Sequence, residues 1–260
     1  MEVVYVKLGG SFLTLKNRPA SVNYDALRAT LEIFAEVQKR GVDLLAGNGG
    51  GSFAHYVVLK YRERDYRDLL VSCHKATRLL NRLLVDYLVE NGIRATSIQT
   101  SAILSYDPSS NSFKVYAEPI KVLIENKIIP VVYGECVLRG NSTIAVSTEQ
   151  VFELLAEVIR PKRIVLLTDV GGVYTCDPKK CTSATLINKI TRDNVNEVLS
   201  FLRSSGGMDV TGGMYEKVRV VSELAFKLRA EAIITSGFDV ESAVAAITGG
   251  YPERATLITP

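Results

Sequence analysis

Short runs of valine, isoleucine and leucine alternate along this chain with longer stretches whose apolar residues recur every three to four positions. The short runs fit strands buried on both faces, and the longer ones fit amphipathic helices laid on a sheet. The pattern predicts strands at Val3–Leu8, Val42–Ala46, Ala95–Ile98, Ile129–Tyr133, Ile164–Thr168, Ala232–Thr235 and Thr256–Ile258. It predicts helices at Tyr24–Arg40, Phe53–Arg62, Leu70–Asn91, Glu118–Asn126, Glu149–Ile159, Arg192–Arg203, Met214–Arg229 and Glu241–Thr248. The Leu70–Asn91 helix has a wide apolar face, and Gly41 and Gly92 stand where helix-ending glycines are common. Such alternation marks βαβ units, so the fold class is α/β with a largely parallel central sheet. The polar stretch Tyr106–Ser112 reads as the turn of a hairpin between Ile103–Ser105 and Phe113–Tyr116. A softer boundary at Arg160-Pro161-Lys162 divides the chain into two lobes, 1–160 and 161–260, that share one sheet.

Composition narrows the class. At 260 residues the chain is at the upper end of a single domain, and its 47% apolar and 23% charged content supplies an ordinary soluble core. The net charge of +3 is small, and the one dense charged run, Lys60–Asp68, alternates in sign. That run reads as a solvated loop or helix face, so no nucleic-acid partner is expected. No apolar run approaches the roughly 20 residues needed to span a bilayer, and a strand begins almost at Met1 without a secretory leader. A cytoplasmic protein with no membrane anchor is expected. Cysteines 73, 136, 176 and 181 lack the Cys-x-x-Cys spacing of a zinc site, and free thiols are expected in a reducing cytosol. Cys176 and Cys181 flank a turn and could bridge in a hyperthermophile.

The candidate chemistry lies in three glycine turns at strand-to-helix junctions: Lys7-Leu8-Gly9-Gly10-Ser11, Gly49-Gly50-Gly51-Ser52-Phe53-Ala54-His55, and Asp209-Val210-Thr211-Gly212-Gly213 followed by Lys217. Backbone N–H groups and the helix dipole at such turns favour anions. Lys7, at the end of a strand, can reach the crevice where open α/β sheets bind ligands. Lys217, one turn into its helix, can lean back over the N-terminus. The plainer alternatives are surface lysines and, for His55, a satisfied polar residue at a helix start. Neither lysine sits in a P-loop, and the glycine spacing is not that of a dinucleotide fold.

These strings, with Thr168-Asp169-Val170-Gly171-Gly172-Val173-Tyr174-Thr175-Cys176-Asp177-Pro178, resemble the amino acid kinase superfamily over nearly the whole chain. Within it the resemblance is strongest to archaeal-type isopentenyl phosphate kinases, because the second glycine turn ends in His55. The resemblance implies a three-layer αβα sandwich and transfer of a phosphoryl group from ATP, with magnesium, to isopentenyl phosphate in isoprenoid biosynthesis, by a homodimer. It implies catalytic roles for Lys7, Lys16, Lys217 and His55. Nucleotide contacts fall on Lys7, Gly9, Gly10, Ser11, Thr168, Asp169, Tyr174, Asp177, Gly212, Gly213 and Lys217. Acceptor contacts fall on Gly50, Gly51, Ala54 and His55, with Ala76, Leu79 and Leu83 as candidates for an apolar slot, a core face or a dimer face. The first lobe would bind the acceptor and form the dimer, the second would bind the nucleotide, and the chain supplies no metal ligands. His74 is read as structural.

Three strings depart from the family pattern: Tyr133-Gly134-Glu135 in place of His-Gly-Asp, Ser147-Thr148-Glu149-Gln150 in place of Ser-Gly-Asp-Asp, and Ala255-Thr256 in place of Gly-Thr. The alternatives are a kinase of the same fold acting on another phosphate, phosphonate or carboxylate, and a sensor that binds ligand without catalysis.

Overall fold

The computed structural model describes all residues except 1, 16, 62 and 206–212. Along the chain it has β1 (Val3–Leu8), α1 (Gly10–Leu13), α2 (Tyr24–Lys39), β2 (Asp43–Asn48), α3 (Gly51–Tyr61), α4 (Tyr66–Glu90), β3 (Ala95–Ser97), α5 (Thr100–Ile103), β4 (Leu104–Asp107), β5 (Ser112–Val115) and α6 (Glu118–Glu125). It continues through β6 (Ile129–Tyr133), β7 (Glu135–Arg139), β8 (Ser142–Val146), α7 (Thr148–Ala156), β9 (Pro161–Thr168), β10 (Lys189–Ile190), α8 (Val195–Ser205), α9 (Gly213–Leu228), β11 (Glu231–Ser236), α10 (Val240–Ile247) and β12 (Ala255–Ile258). Eight strands form one sheet in the order β10-β12-β11-β9-β1-β2-β6-β3. Neighbours run parallel except β11 and β12.

Alternation along β1 sorts the two cores. Val3 and Tyr5 pack into the cluster formed with α6, α7, α8 and α9, whereas Val4, Val6 and Leu8 pack with α2, α4 and α10. Both faces are therefore covered, which explains why the central strands are apolar throughout rather than alternating with polar residues. The same two-residue period turns Lys7 toward the α7 side. The winding reverses between β1 and β9, leaving a crevice beyond the carboxyl ends of these strands.

Several boundaries differ from the sequence reading. Helix α4 begins at Tyr66 rather than Leu70, because the Asp65 side chain caps it, accepting from Arg67 N at 2.8 Å. The alternating-charge run Lys60–Asp68 spans the turn between α3 and α4. The β7–β8 hairpin was not anticipated, although its two-residue Gly140-Asn141 turn carries a recognised signal. The expectation of free thiols is overturned, since Cys73 pairs with Cys136 and Cys176 with Cys181. No described helix is long and apolar enough to cross a membrane.

Candidate active site

The first two glycine turns meet backbone to backbone. A Cβ on Gly10 would fall 2.5 Å from Gly51 N, and one on Gly51, at φ +48°, would fall 2.3 Å from Thr14 Oγ1. No side chain fits at either position. Thr14 joins the turns: its hydroxyl donates to Gly10 O at 2.7 Å and accepts from Ser52 N at 2.9 Å. Nothing in the sequence marked Thr14 beyond its place four residues after Gly10. The N-termini of α1 and α3 thus open side by side onto the crevice, presenting backbone donors that no preceding helical carbonyl can satisfy.

Not every expected donor is available. Gly9 N donates to Leu167 O at 2.8 Å, so this N–H holds β1 to β9. Ser11 Oγ is inaccessible to solvent and has no hydrogen-bond partner among the described residues. An orphaned hydroxyl costs free energy unless something else satisfies it, and here it sits at the mouth of α1.

Lys7 is only 6% exposed and forms an ion pair with Glu149 in the first turn of α7. A capping box, in which Ser147 and Gln150 bond reciprocally, fixes that helix start. Thr148 secures it further, donating to Asn48 O at 2.7 Å and accepting from Gly134 N at 3.0 Å. Burial would push the Glu149 carboxyl up. The charge and hydrogen bond of Lys7, a backbone N–H and the charge of Lys217 outweigh that and hold it below the ordinary carboxylate value. Lys217 leans back over the start of α9, its Nζ 3.5 Å from Gly213 O. Lys7 from β1 and Lys217 from α9 therefore both act on one buried carboxylate beside the glycine turns. That arrangement suits a polyanion.

His55 is half-buried in α3, one turn past Gly51. Ala54 stands against Gly50, where an added Cβ would approach its methyl at 2.3 Å. On the opposite side of the crevice, Thr168 ends β9 and Asp169 follows it, paired with Lys179. Tyr174 pairs with Leu186 across the loop, and Asp177 starts the turn at its tip. Lys16 and Gly212, together with Asp209 and Thr211, lie outside the described residues.

The slot residues separate. Ala76 packs with Val57, Tyr61, Leu70 and the Cys73–Cys136 bridge in a small apolar cluster between α3 and α4. Leu79 and Leu83 are 45% and 40% exposed and stand apart from it. The helical spacing that grouped all three gave their common segment but not their direction, since α4 turns its buried face, Leu80, Leu84 and Leu88, toward the sheet. His74 donates from Nε2 to Cys136 O at 2.8 Å and accepts at Nδ1 from Arg78 at 2.7 Å, which fixes its tautomer. Arg78 also pairs with the buried Glu135 at 2.9 Å.

Comparison with known proteins agrees with this geometry. The family model "Amino acid kinase family" matches residues 2–236. The chain belongs to the amino acid kinase family. It is therefore a phosphotransferase. The isopentenyl phosphate kinase of Methanothermobacter thermautotrophicus is 31% identical to it over 271 residues, covering 98% of this chain and 95% of that protein. That of Methanocaldococcus jannaschii is 30% identical over 231 residues, covering 83% and 85%. A solved isopentenyl phosphate kinase structure superposes with a TM-score of 0.78 at 27% identity, covering 99% of this chain and all of the other. The layered sheet expected from the sequence is the fold of this family.

Proposed function

We propose that this protein transfers the γ-phosphoryl group of ATP to isopentenyl phosphate, giving isopentenyl diphosphate and ADP. The observation that carries the reading is the convergence of Lys7, Glu149 and Lys217 beside a glycine turn that runs into His55. The relatives of the same name supply the acceptor.

The acceptor's phosphate monoester is largely dianionic at neutral pH, its second pKa lying near 6. Its oxygen attacks the γ-phosphorus directly, the bond to the β–γ bridging oxygen breaks, and ADP leaves with the electron pair. No general base is needed. The chain's task is alignment and charge neutralisation. Lys7 and Lys217 stabilise the equatorial oxygens of the moving group, Glu149 holds Lys7 in place, and Lys16 assists. Gly10, Gly50 and Gly51 present backbone donors, and His55 orients the acceptor phosphate. Thr168, Asp169, Tyr174, Asp177 and Gly213 border the nucleotide, opposite His55, and the sequence alone adds Gly212 to this set. Magnesium would come bound to the nucleotide's phosphates and would neutralise part of their charge.

The acceptor's apolar tail fits the cluster of Val57, Tyr61, Leu70 and Ala76, on the helix that carries His55 and on its neighbour. Leu79 and Leu83 are better placed for a subunit contact, which supports a homodimer, and the enzyme works in the cytoplasm. ADP release measured against a panel of small phosphates, phosphonates and carboxylates tests the assignment. Turnover must be highest with isopentenyl phosphate. ATP binding with no ADP release on any acceptor would instead identify a sensor.

A further inference from the structure

Asp169 follows the carboxyl end of β9 directly, on the side of the crevice assigned above to the nucleotide, and its side chain is only 14% exposed. A carboxylate there repels an incoming triphosphate unless a cation neutralises it. The cation comes from ten residues further along the chain, and the loop is built to return it. Val173 O accepts from Ile187 N at 2.8 Å, and Thr175 N donates to Thr185 O at 3.0 Å, forming a paired stem. At the tip, Asp177 folds the chain back: its Oδ1 accepts from Lys179 N at 3.0 Å and its carbonyl from Cys181 N at 2.9 Å. The Cys176–Cys181 bridge then closes this turn into a ring. The ring sorts two adjacent lysines. Lys179 reaches Asp169, whereas Lys180, with a side chain 84% exposed, stands 4.0 Å from Asp177.

We propose that Lys179 is a positioning residue of the nucleotide site, held by the Cys176–Cys181 ring so that it neutralises Asp169 where the polyphosphate enters. The proposal rests on the nucleotide site assigned above. Lys179 acts through Asp169, and the ring acts through Lys179.

The test uses the full-length protein, ATP calorimetry and ADP-release kinetics. Lys179→Ala should raise KM and Kd for ATP about three- to five-fold, as expected for a pair whose lysine is exposed and whose carboxylate is not, while acceptor KM and kcat stay within about two-fold. In an Asp169→Asn background the same substitution should have no further effect, since the charge to be neutralised is gone. Cys176→Ser with Cys181→Ser should raise KM for ATP by a smaller factor and add nothing to Lys179→Ala. Should that variant fail to fold, reduction of the wild type with a phosphine gives the same reading, provided mass mapping shows the buried Cys73–Cys136 bridge still closed. An undiminished Lys179→Ala effect in the Asp169→Asn background, equal rises in both KM values, or no change at all would overturn the proposal. Absence of ATP binding by the wild type would instead remove the nucleotide assignment, and calorimetry shows that before any variant is made.

Discussion

Glu149 and Glu135 are both glutamates buried near the carboxyl end of β6, and each pairs with a cation from another element, yet they do different work. Lys7 reaches Glu149 from inside the sheet, with only 8% of its side chain exposed, and Lys217 adds a second positive charge. Glu135 meets a single cation, Arg78, which is 39% exposed, and spends its other oxygen on Ser101 N at 2.8 Å. The first cluster gathers two lysines from different elements beside the glycine turns. The second is balanced and knits α4 to α5 and β7. The two buried carboxylates thus differ in how many cations act on each, Lys7 and Lys217 on Glu149 against Arg78 on Glu135.

Substitutions can break this contrast. The largest effect belongs to the second lysine: Lys217→Ala should lower kcat about a hundred- to a thousand-fold with little change in stability, measured by steady-state kinetics and thermal melting. Glu149→Gln should cost both. It strands Lys7 in a dry site, so unfolding free energy should fall by about 3 kcal/mol, and kcat should fall with it. Its pH dependence follows from the sign of the shift. The folded carboxyl lies below its unfolded value, so its contribution is complete at neutral pH and fades only as pH falls through that depressed value. Melting temperatures of wild type and Glu149→Gln should therefore converge only at pH below the ordinary carboxylate range.

The balanced cluster predicts the reverse profile. Glu135→Gln should cost about 1–2 kcal/mol, because the abandoned Arg78 remains partly solvated, and should leave kcat within about three-fold. A kcat loss matching that of Glu149→Gln would erase the distinction. His55→Ala sharpens it on the acceptor side, raising acceptor KM about ten-fold or more while KM for ATP stays within about two-fold. The smallest effect is expected at Leu79→Ala, within about 0.5 kcal/mol and without kinetic consequence in a single subunit.

The sequence made one half of this contrast visible. Strand β1 was legible to the residue, because an apolar run ending in Lys7 and two glycines has few other readings. Lys7 stood out because it leads into a glycine turn, and Lys217 and His55 because each follows one. Glu149 was visible as a departure from the family string, but its partner was not, since 142 positions separate it from Lys7. Glu135 was visible in the same way, but its pairing with Arg78 beside His74 and the Cys73–Cys136 bridge had no local signal, as their members meet only after α4 packs on β7. The direction of Leu79 and Leu83 was lost for a similar reason: periodicity locates a helix face, and only packing decides which neighbour it meets.

The bare contact between Gly10 and Gly51 has a consequence for how such an enzyme can diversify. The two glycine loops share one seam with no side chain in it to absorb a change, so neither can be lengthened or reshaped without displacing the other. A new acceptor must therefore be accommodated away from the seam, by altering the walls on α3 and α4 while the loop itself stays as it is.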